Sequence, residues 1–228
     1  LVEGRTLRDF LEAEAPIAWS RALALWTELA EALQAAHDHG ILHRDVKPTN
    51  VLLQAAADGT EHCRVIDFGL VRALGPDAST EVTTVGQVIG TPSYISPEAL
   101  RGDAPDARSD QYSLGCVTHE LLEARRPFRG AMLEELFLQH LTRPPPPPEL
   151  PRVPAELRAQ VSAVLRRCLE KDPAHRFADM RALVRALAAI QPGARPVRRG
   201  DDARAFRSSR RRWAAALGTA ALGVGLWS

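Results

Sequence analysis

Two short polar stretches of the chain, each beside an apolar run, contain residue types suited to phosphoryl transfer. The first is HRDVKPTN, which begins at His43, and the second is DFG, which begins at Asp67. Phosphoryl transfer requires an oriented hydroxyl, metal ions on the phosphates, and positive charge where negative charge develops. Asp45 could accept the proton of a substrate hydroxyl, and Lys47 could bring a positive charge to the phosphoryl group. Asn50 and the carboxylate of the second stretch offer the hard oxygen ligands that suit Mg²⁺.

Either stretch alone is weak evidence for such chemistry. Asp-Phe-Gly is also an ordinary turn sequence, and a single His-x-Asp is common in loops. Together, in this order and each next to a strand-like run, they are poorly explained by chance. HRDVKPTN followed by DFG resembles the catalytic loop and the metal-binding turn of the eukaryotic-type (Hanks-type) protein kinase family. The Lys two residues after the Asp resembles the Ser/Thr kinases rather than the tyrosine kinases.

The resemblance implies an α+β, protein-kinase-like fold with ATP and Mg²⁺ as cofactors. It covers residues 1 to about 190 and includes only the mainly α-helical C-lobe. The sequence contains no Gly-rich phosphate loop, strand Lys or helix Glu of the family type, so the N-lobe β-sheet is expected to be absent. The sequence opens without Met and stops within an apolar run, which favours a fragment. We expect this chain alone to bind ATP poorly and to transfer phosphate slowly.

The resemblance also implies roles for individual residues. Catalytic roles fall to Asp45, Lys47, Asn50 and Thr91. Nucleotide contacts fall to the hinge residues Leu1, Val2 and Glu3, to Leu52 on the floor of the adenine pocket, and to Asp67. The metal ligands would be Asn50 and Asp67. Structural roles fall to His43, Phe68, Gly69, Glu98, Asp110 and Arg176.

Two of the structural residues have defined partners in the family. Glu98 ends the stretch Gly90–Glu98, which resembles the substrate-positioning segment, and would form a buried ion pair with Arg176. Removing one partner of such a pair costs about 3–5 kcal/mol. Asp110 would hydrogen-bond backbone amides of the catalytic loop. Without the resemblance, Ser109 or Asp110 could simply cap the helix that follows.

Residues 67–98 resemble the activation segment of the family. The middle of this segment, DASTEVTT, is polar, rich in hydroxyl groups and without periodicity. A phosphate there would add negative charge that Arg44 could bind, thereby ordering the segment. The candidate phosphorylation sites are Thr83 and Thr84, with Thr80 behind them. Solvated loop hydroxyls without a regulatory role are the alternative.

Hydrophobic periodicity predicts the elements that must position these residues. The predicted helices are Thr6–Glu12, Ala18–His39, Ser109–Ala124, Met132–Leu141, Ala155–Glu170 and Asp179–Ile190. A hairpin is predicted from Val51–Leu53 and Cys63–Ile66, with Asp58-Gly59 at its turn. The run Pro144–Pro148 is interpreted as a stiff connector, with a polyproline II ligand as the alternative.

Composition excludes some classes of function. The formal net charge is +1, which argues against a nucleic-acid partner. The three cysteines, Cys63, Cys116 and Cys168, are far apart and lack metal-ligand spacing. They are interpreted as buried apolar side chains rather than as a disulfide framework or a zinc site.

The C-terminal part of the chain changes character. Residues 191–212 are rich in Arg and Pro and are interpreted as a juxtamembrane linker after a kinase domain at 1–190. Trp213–Trp227 contains no charged residue, although it is shorter than the roughly 20 residues that a span requires. Arg210–Arg212 and the adjacent Trp fit the positive-inside rule and the interfacial belt. Residues 213–228 are therefore predicted to begin a transmembrane helix, with an apolar helix packed on the domain or on a partner as the alternative.

The family resemblance, together with the C-terminal segment, predicts a membrane-anchored bacterial serine/threonine protein kinase, with its kinase domain in the cytoplasm and its helix in the inner membrane. It would phosphorylate Ser or Thr of protein substrates and could activate itself in trans as a homodimer. A pseudokinase scaffold and a small-molecule phosphotransferase are the alternatives. Intact Asp45, Lys47, Asn50 and Asp67 argue against the scaffold. The activation-segment resemblance argues against a small substrate.

Overall fold

The computed structural model describes residues 4–55, 61–67 and 92–190. Within these ranges the chain is mainly α-helical. The helices are α1 (Leu7–Glu14), α2 (Trp19–His37), α3 (Pro97–Arg101), α4 (Ala107–Glu123), α5 (Leu133–Thr142), α6 (Arg158–Cys168) and α7 (Met180–Ala189). The strands are β1 (Arg5–Thr6), β2 (Val51–Ala55) and β3 (Glu61–Val65). Single 3₁₀ turns occur at Pro48–Asn50, Pro92–Tyr94, Ala155–Leu157 and Pro173–His175.

Several features named by the sequence analysis lie outside the described ranges. The individual residues are Leu1, Val2, Glu3, Phe68, Gly69, Thr80, Thr83, Thr84 and Thr91. The hairpin turn, the linker 191–212 and the apolar segment 213–228 lie outside them too. Among the helices that are described, none has the length and apolar character needed to span a membrane.

The three strands form an antiparallel sheet in the order β1-β2-β3. β2 and β3 pair from Val51 opposite Val65, so the residues just before β2 and just after β3 meet at one end of the hairpin. There the N–H of Ile66 donates to the carbonyl oxygen of Asn50 at 2.9 Å. The hairpin therefore brings the two polar stretches of the sequence together.

β1 fixes the start of the described chain against β2. Thr6 pairs with Leu52, and Thr6 also caps α1 through a reciprocal pair of hydrogen bonds with Asp9. A Cβ atom at Gly4 would lie 2.7 Å from the carbonyl oxygen of Leu53. Only glycine fits such a close approach of two backbones.

α2 forms the centre of the helical part and packs against α4, α7 and β3. The side chains of its buried face include Leu23, Trp26, Leu29, Ala30 and Leu33, as the periodicity predicts. Burying one large apolar side chain contributes about 1.5–3 kcal/mol, so this face holds the domain together. The helix ends before Gly40, which has a φ of 73°. Glycine adopts this left-handed conformation without strain.

α4 is buried along almost its whole length, from Ser109 to Glu123. It approaches α6 most closely at Gly115, where an added Cβ would lie 3.0 Å from Cβ of Cys168 and 3.1 Å from a methyl group of Leu169. The absence of a side chain at Gly115 therefore sets the distance between the two helices.

The beginning of α4 differs from the sequence-based expectation. The helix starts at Ala107, and its N-cap is Asp106 rather than Ser109 or Asp110. The Asp106 carboxylate accepts from the N–H of Arg108 at 2.8 Å, and the N–H of Asp106 donates to Ser109 Oγ at 3.3 Å. This leaves the carboxylate of Asp110, one turn into the helix, free to bind elsewhere.

The other differences concern element ends. α1 extends to Glu14, and the predicted helix Ala155–Glu170 divides into a 3₁₀ turn and α6. The short helix α3 was not predicted, because five residues are too few to show a helical period. Its N-cap is Ser96, whose side chain accepts from the N–H of Ala99.

The three cysteines are free and buried. Burial raises the pKa of the Cys63 and Cys168 thiols well above the ordinary value and that of Cys116 to about 12. A neutral buried thiol behaves as a small apolar side chain, and all three belong to the hydrophobic core.

Candidate active site

The loop between α2 and β2 brings three of the predicted catalytic side chains into contact. Lys47 Nζ donates to Asp45 Oδ2 at 2.6 Å, and Asn50 Nδ2 donates to the same oxygen at 3.0 Å. Asn50 Nδ2 also donates to the backbone carbonyl of Asp45 at 2.9 Å. The Asp45 side chain is 56% exposed, whereas Asn50 is buried. The carboxylate therefore faces solvent while a buried amide holds it in place.

Asp67 supplies an exposed carboxylate at the end of the hairpin next to this loop. Its φ is 56°, a left-handed conformation that Asp tolerates better than most residues. Within the described residues, Asn50 Oδ1 accepts only a long hydrogen bond of 3.5 Å from Thr49 Oγ1, so it keeps acceptor capacity. One carboxylate and one amide oxygen fit Mg²⁺, which is commonly held by few protein ligands together with water and substrate phosphates.

His43 joins the loop to the end of β3. Its Nε2 lies 2.9 Å from the carbonyl oxygen of Ile66, and the N–H of Asp45 donates to its Nδ1 at 3.3 Å. A carbonyl can only accept and an N–H can only donate, so these partners assign the neutral imidazole with its proton on Nε2. The ring is fully buried, which fits a structural role.

Asp110 holds the backbone of the same loop from α4. Its carboxylate accepts from the N–H of His43 at 2.9 Å and from the N–H of Arg44 at 2.8 Å. Arg44 has a φ of 64°, and a left-handed conformation at such a residue costs on the order of 1–3 kcal/mol. The two hydrogen bonds hold this strained residue directly before Asp45.

His37, at the end of α2, was not singled out from the sequence. Its Nε2 donates to Asp110 Oδ2 at 2.7 Å, so the carboxylate binds a helix end and a loop together. The signal available from the sequence was only a His near the helix terminus. A partner 73 positions away cannot be inferred from that signal.

Glu98 and Arg176 form the buried ion pair that the sequence analysis expects. Arg176 Nη1 and Nη2 donate to the two carboxylate oxygens at 2.7 and 2.8 Å. Burial alone would raise the pKa of Glu98. The hydrogen bonds and positive charge of Arg176 together outweigh burial, so the pKa lies below its ordinary value. The remaining guanidinium N–H groups donate to the backbone carbonyls of Arg108, Glu170 and Lys171. All five donors of this buried cation are therefore used.

A second network connects α1 with the 3₁₀ turn Pro92–Tyr94. Arg8 Nη1 donates to Glu120 Oε1 at 2.9 Å, and the Tyr94 hydroxyl donates to Glu120 Oε2 at 2.6 Å. Arg8 also contacts the Tyr94 hydroxyl directly. Burial, followed by the Glu120 carboxylate, raises the pKa of Tyr94. The sequence analysis missed these residues, because Arg8 and Glu120 lie 112 positions apart.

Leu52 lies in β2, directly after the loop that contains Asp45, and is partly buried opposite Thr6 and Arg64. The structure thus brings Asp45, Lys47 and Asn50 into contact. Leu52 and Asp67 belong to the adjoining hairpin, which is joined to this loop by the hydrogen bond from Ile66 to Asn50. Leu1, Val2, Glu3 and Thr91, for which the sequence analysis predicts roles, lie outside the described ranges.

A family model and individual similar proteins all relate this chain to protein kinases. Residues 1–187 match the family described as "Protein kinase domain". Serine/threonine-protein kinase PknB of Mycolicibacterium smegmatis is 42% identical over 184 residues, covering 79% of this chain and 28% of that protein. Serine/threonine-protein kinase pkn2 of Myxococcus xanthus is 42% identical over 201 residues, covering 84% of this chain and 24% of that protein.

Among solved structures, the crystal structure of Rad53 1-466 in complex with AMP-PNP superposes with a TM-score of 0.63. The two sequences are 23% identical, and the superposition covers 81% of this chain and 44% of the Rad53 chain. This likeness shows the fold. The chain spans about a quarter of the length of the curated relatives named above.

Proposed function

This chain belongs to the protein kinase family and has its α+β fold, and we propose that the protein transfers the γ-phosphoryl group of ATP to Ser or Thr hydroxyls of protein substrates. The observation that carries this proposal is the contact of Lys47 Nζ and Asn50 Nδ2 with the exposed carboxylate of Asp45. The names of the similar proteins support Ser and Thr as acceptors.

In the proposed reaction, Asp45 orients the substrate hydroxyl and accepts its proton. Lys47, held 2.6 Å from that carboxylate, is close enough to place its charge on the transferred phosphoryl group. Positioning of this kind, together with electrostatic stabilisation, accounts for most of the catalysis of phosphoryl transfer. Asn50 and Asp67 would hold Mg²⁺, which neutralises charge on the phosphates when it is bound.

The nucleotide would lie against β2. The close approach of Gly4 to Leu53 and the pairing of Thr6 with Leu52 support this placement, because they bring the start of the chain to the same strand. Backbone groups of Leu1, Val2 and Glu3 would bind the adenine above Leu52.

The finer features of the proposal depend on sequence outside the described residues. Phosphate on Thr83 or Thr84, or on Thr80, would bind Arg44 and order the activation segment. Residues 213–228, after the linker 191–212, would anchor a cytoplasmic kinase domain in a bacterial inner membrane. Two anchored copies would phosphorylate one another in trans. Full activity of a Thr83→Ala/Thr84→Ala variant of the full-length protein would contradict this regulation.

The proposed activity is tested with the full-length gene product, Mg²⁺ and γ-labelled ATP. We expect label on Ser or Thr of the protein or of a mixed protein substrate. Asp45→Asn should lower the rate by about 10²–10⁴-fold, the usual contribution of a positioned base. Asp103→Asn is the matched control, because Asp103 is an exposed carboxylate outside the loop.

The result also separates the alternatives. No label in either protein, together with no binding of ATP, would contradict the proposal and favour a scaffold. Label appearing on small molecules but on no protein would favour a small-molecule phosphotransferase.

A further inference from the structure

A cleft beside the Pro92–Tyr94 turn is lined by arginines that the proposed active site does not use. It has a volume of about 190 Å³ and lies between the end of α4 and α5. The residues that line it are His119, Arg125, Arg126, Pro127, Arg129, Gln139, Arg143 and Pro146. Four of these eight residues are arginines and none is Asp or Glu. All of the charged side chains that line this cleft are therefore positive.

The charge of the cleft is only partly neutralised by the chain. Arg125 is paired with two carboxylates, and Arg126 Nε lies 3.7 Å from Glu120 Oε1. Arg129 and Arg143 are exposed, and no ion pair to either occurs among the residues that the structure describes. His119 adds no charge at neutral pH, because burial lowers its pKa. Two exposed guanidinium groups thus remain available to bind anions.

The cleft is connected to the stretch that resembles the substrate-positioning segment. Arg126 Nη1 donates to the Ser93 hydroxyl at 2.9 Å. Glu120, a buried carboxylate that pairs with Arg126, also accepts hydrogen bonds from Arg8 and Tyr94. It is therefore poorly placed to attract a basic substrate side chain, and it does not cancel the charge of the exposed arginines.

We propose that the exposed Arg129 and Arg143, beside Arg126, form a docking cleft for acidic side chains of the protein substrate. This inference rests on the proposed function, which assigns the stretch containing Ser93 to substrate positioning. The planar guanidinium group matches a carboxylate with two parallel hydrogen bonds. The small volume, with Pro127 and Pro146 in its walls, suits one or two side chains rather than the continuous backbone of a polyanion. Acidic residues placed away from the acceptor hydroxyl would then select the substrate.

The test uses the full-length protein and two labelled peptides that differ only in charge. Both contain one Ser, and one carries Glu at the positions where the other carries Gln. We expect KM for the Glu peptide to be roughly threefold to tenfold lower, the range for a few partly exposed ion pairs. Arg129→Gln/Arg143→Gln should remove this difference while kcat for the Gln peptide is unchanged.

The matched control is Arg152→Gln/Arg166→Gln, which removes the same charge from two exposed arginines outside the cleft. The control should keep the preference for Glu. An equal loss in both double variants would overturn the proposal, since it would show a general effect of net charge. High salt should weaken the preference of the parent protein.

Fluorescence anisotropy of the labelled Glu peptide gives a second readout that does not depend on turnover. Arginine-dependent binding without any phosphoryl transfer would support the cleft and contradict the kinase activity. Phosphorylation of both peptides with equal KM would support the kinase activity and overturn the cleft. Binding of single-stranded RNA or anionic vesicles, with no binding of the Glu peptide, would also overturn it.

Discussion

The carboxylate of Asp110 accepts the backbone N–H of Arg44 at 2.8 Å, across 66 positions of sequence. This hydrogen bond fixes a left-handed residue directly before Asp45. The proposed catalytic carboxylate is itself more than half exposed, so little packing holds it. Its position depends on its hydrogen bonds with Lys47 and Asn50 and on Asp110 beneath its loop.

Asp110→Asn should impair the loop without removing any residue that contacts substrate. The amide cannot accept hydrogen bonds at both positions, so a buried N–H of His43 or Arg44 would lose its partner, at about 1–3 kcal/mol. We expect kcat to fall by at least about tenfold with little change in KM, because only the position of Asp45 is disturbed. Peptide kinetics on the full-length protein measure both constants.

Asp106→Asn is the control for this change. It makes the same substitution on the same helix, but at an exposed N-cap, where Asn is as good as Asp. Its kinetics should match those of the parent. Equal kcat values for Asp110→Asn and the parent would show that the loop does not need the buried carboxylate.

Glu98→Gln should strongly destabilise the domain. The guanidinium of Arg176 would remain buried without a countercharge, which costs about 3–5 kcal/mol. Urea unfolding followed by circular dichroism measures the loss. Glu149→Gln removes a carboxylate whose side chain is 73% exposed and should change stability by less than about 1 kcal/mol. Similar unfolding free energies for the two variants would refute this assignment.

The folded domain should lose stability in mild acid because of His140. This ring is buried against Phe128, with Nδ1 3.0 Å from the Tyr112 hydroxyl. Burial, with a smaller contribution from the charge of Lys171, lowers its pKa to about 3. The unfolded chain binds a proton near pH 6.5, so between these values the unfolded state binds more protons. Stability from this group is complete above pH 6.5 and decreases as the pH falls towards 3.

The measurement compares the free energy of unfolding of the parent and of His140→Gln at pH 7 and pH 5. The parent should lose about 1–2 kcal/mol more than the variant over this interval. Titrations shared by both proteins cancel in the comparison. The same loss in both would mean that His140 becomes protonated without opening the core.

Gly115→Val should separate α4 from α6. The first added carbon would already lie 3.0 Å from Cβ of Cys168, and two further methyl groups cannot fit without a shift. Overpacking of this kind costs about 1–3 kcal/mol, even though Val is a better helix former than Gly. Ala163→Val on the exposed face of α6 is the control and should be nearly neutral in thermal unfolding. Equal melting temperatures would contradict the tight contact.

The sequence predicted the structural elements whose residues follow a regular period or a fixed spacing. The buried face of α2 follows from apolar residues at helical intervals, and the hairpin follows from two apolar runs around a turn. The ion pair of Glu98 with Arg176 was expected only from a family resemblance. No local pattern connects residues 78 positions apart.

The remaining features depend on tertiary contacts that leave no local trace. Asp106, Ser109 and Asp110 are equally good caps by residue type, and the structure selects Asp106 because the neighbouring loop occupies Asp110. The contacts of His37 and Arg8 with carboxylates of α4 arise only after helices pack. Three arginines of the cleft, at positions 125, 126 and 129, are close in sequence, but Arg143 joins them only because the end of α5 lies beside the end of α4.

The packing of α7 against α2 sets the order in which the domain can be completed during synthesis. The N–H of Arg181 donates to Gln34 Oε1 at 3.1 Å, 147 positions away. Ribosomes add about 5–20 residues per second. The apolar face of α2 is therefore synthesised on the order of ten seconds before α7, the last helix that packs against it. During that interval it depends on incomplete packing or on a chaperone. A nascent chain halted before Met180 would therefore be far more sensitive to proteases than one released after Ile190.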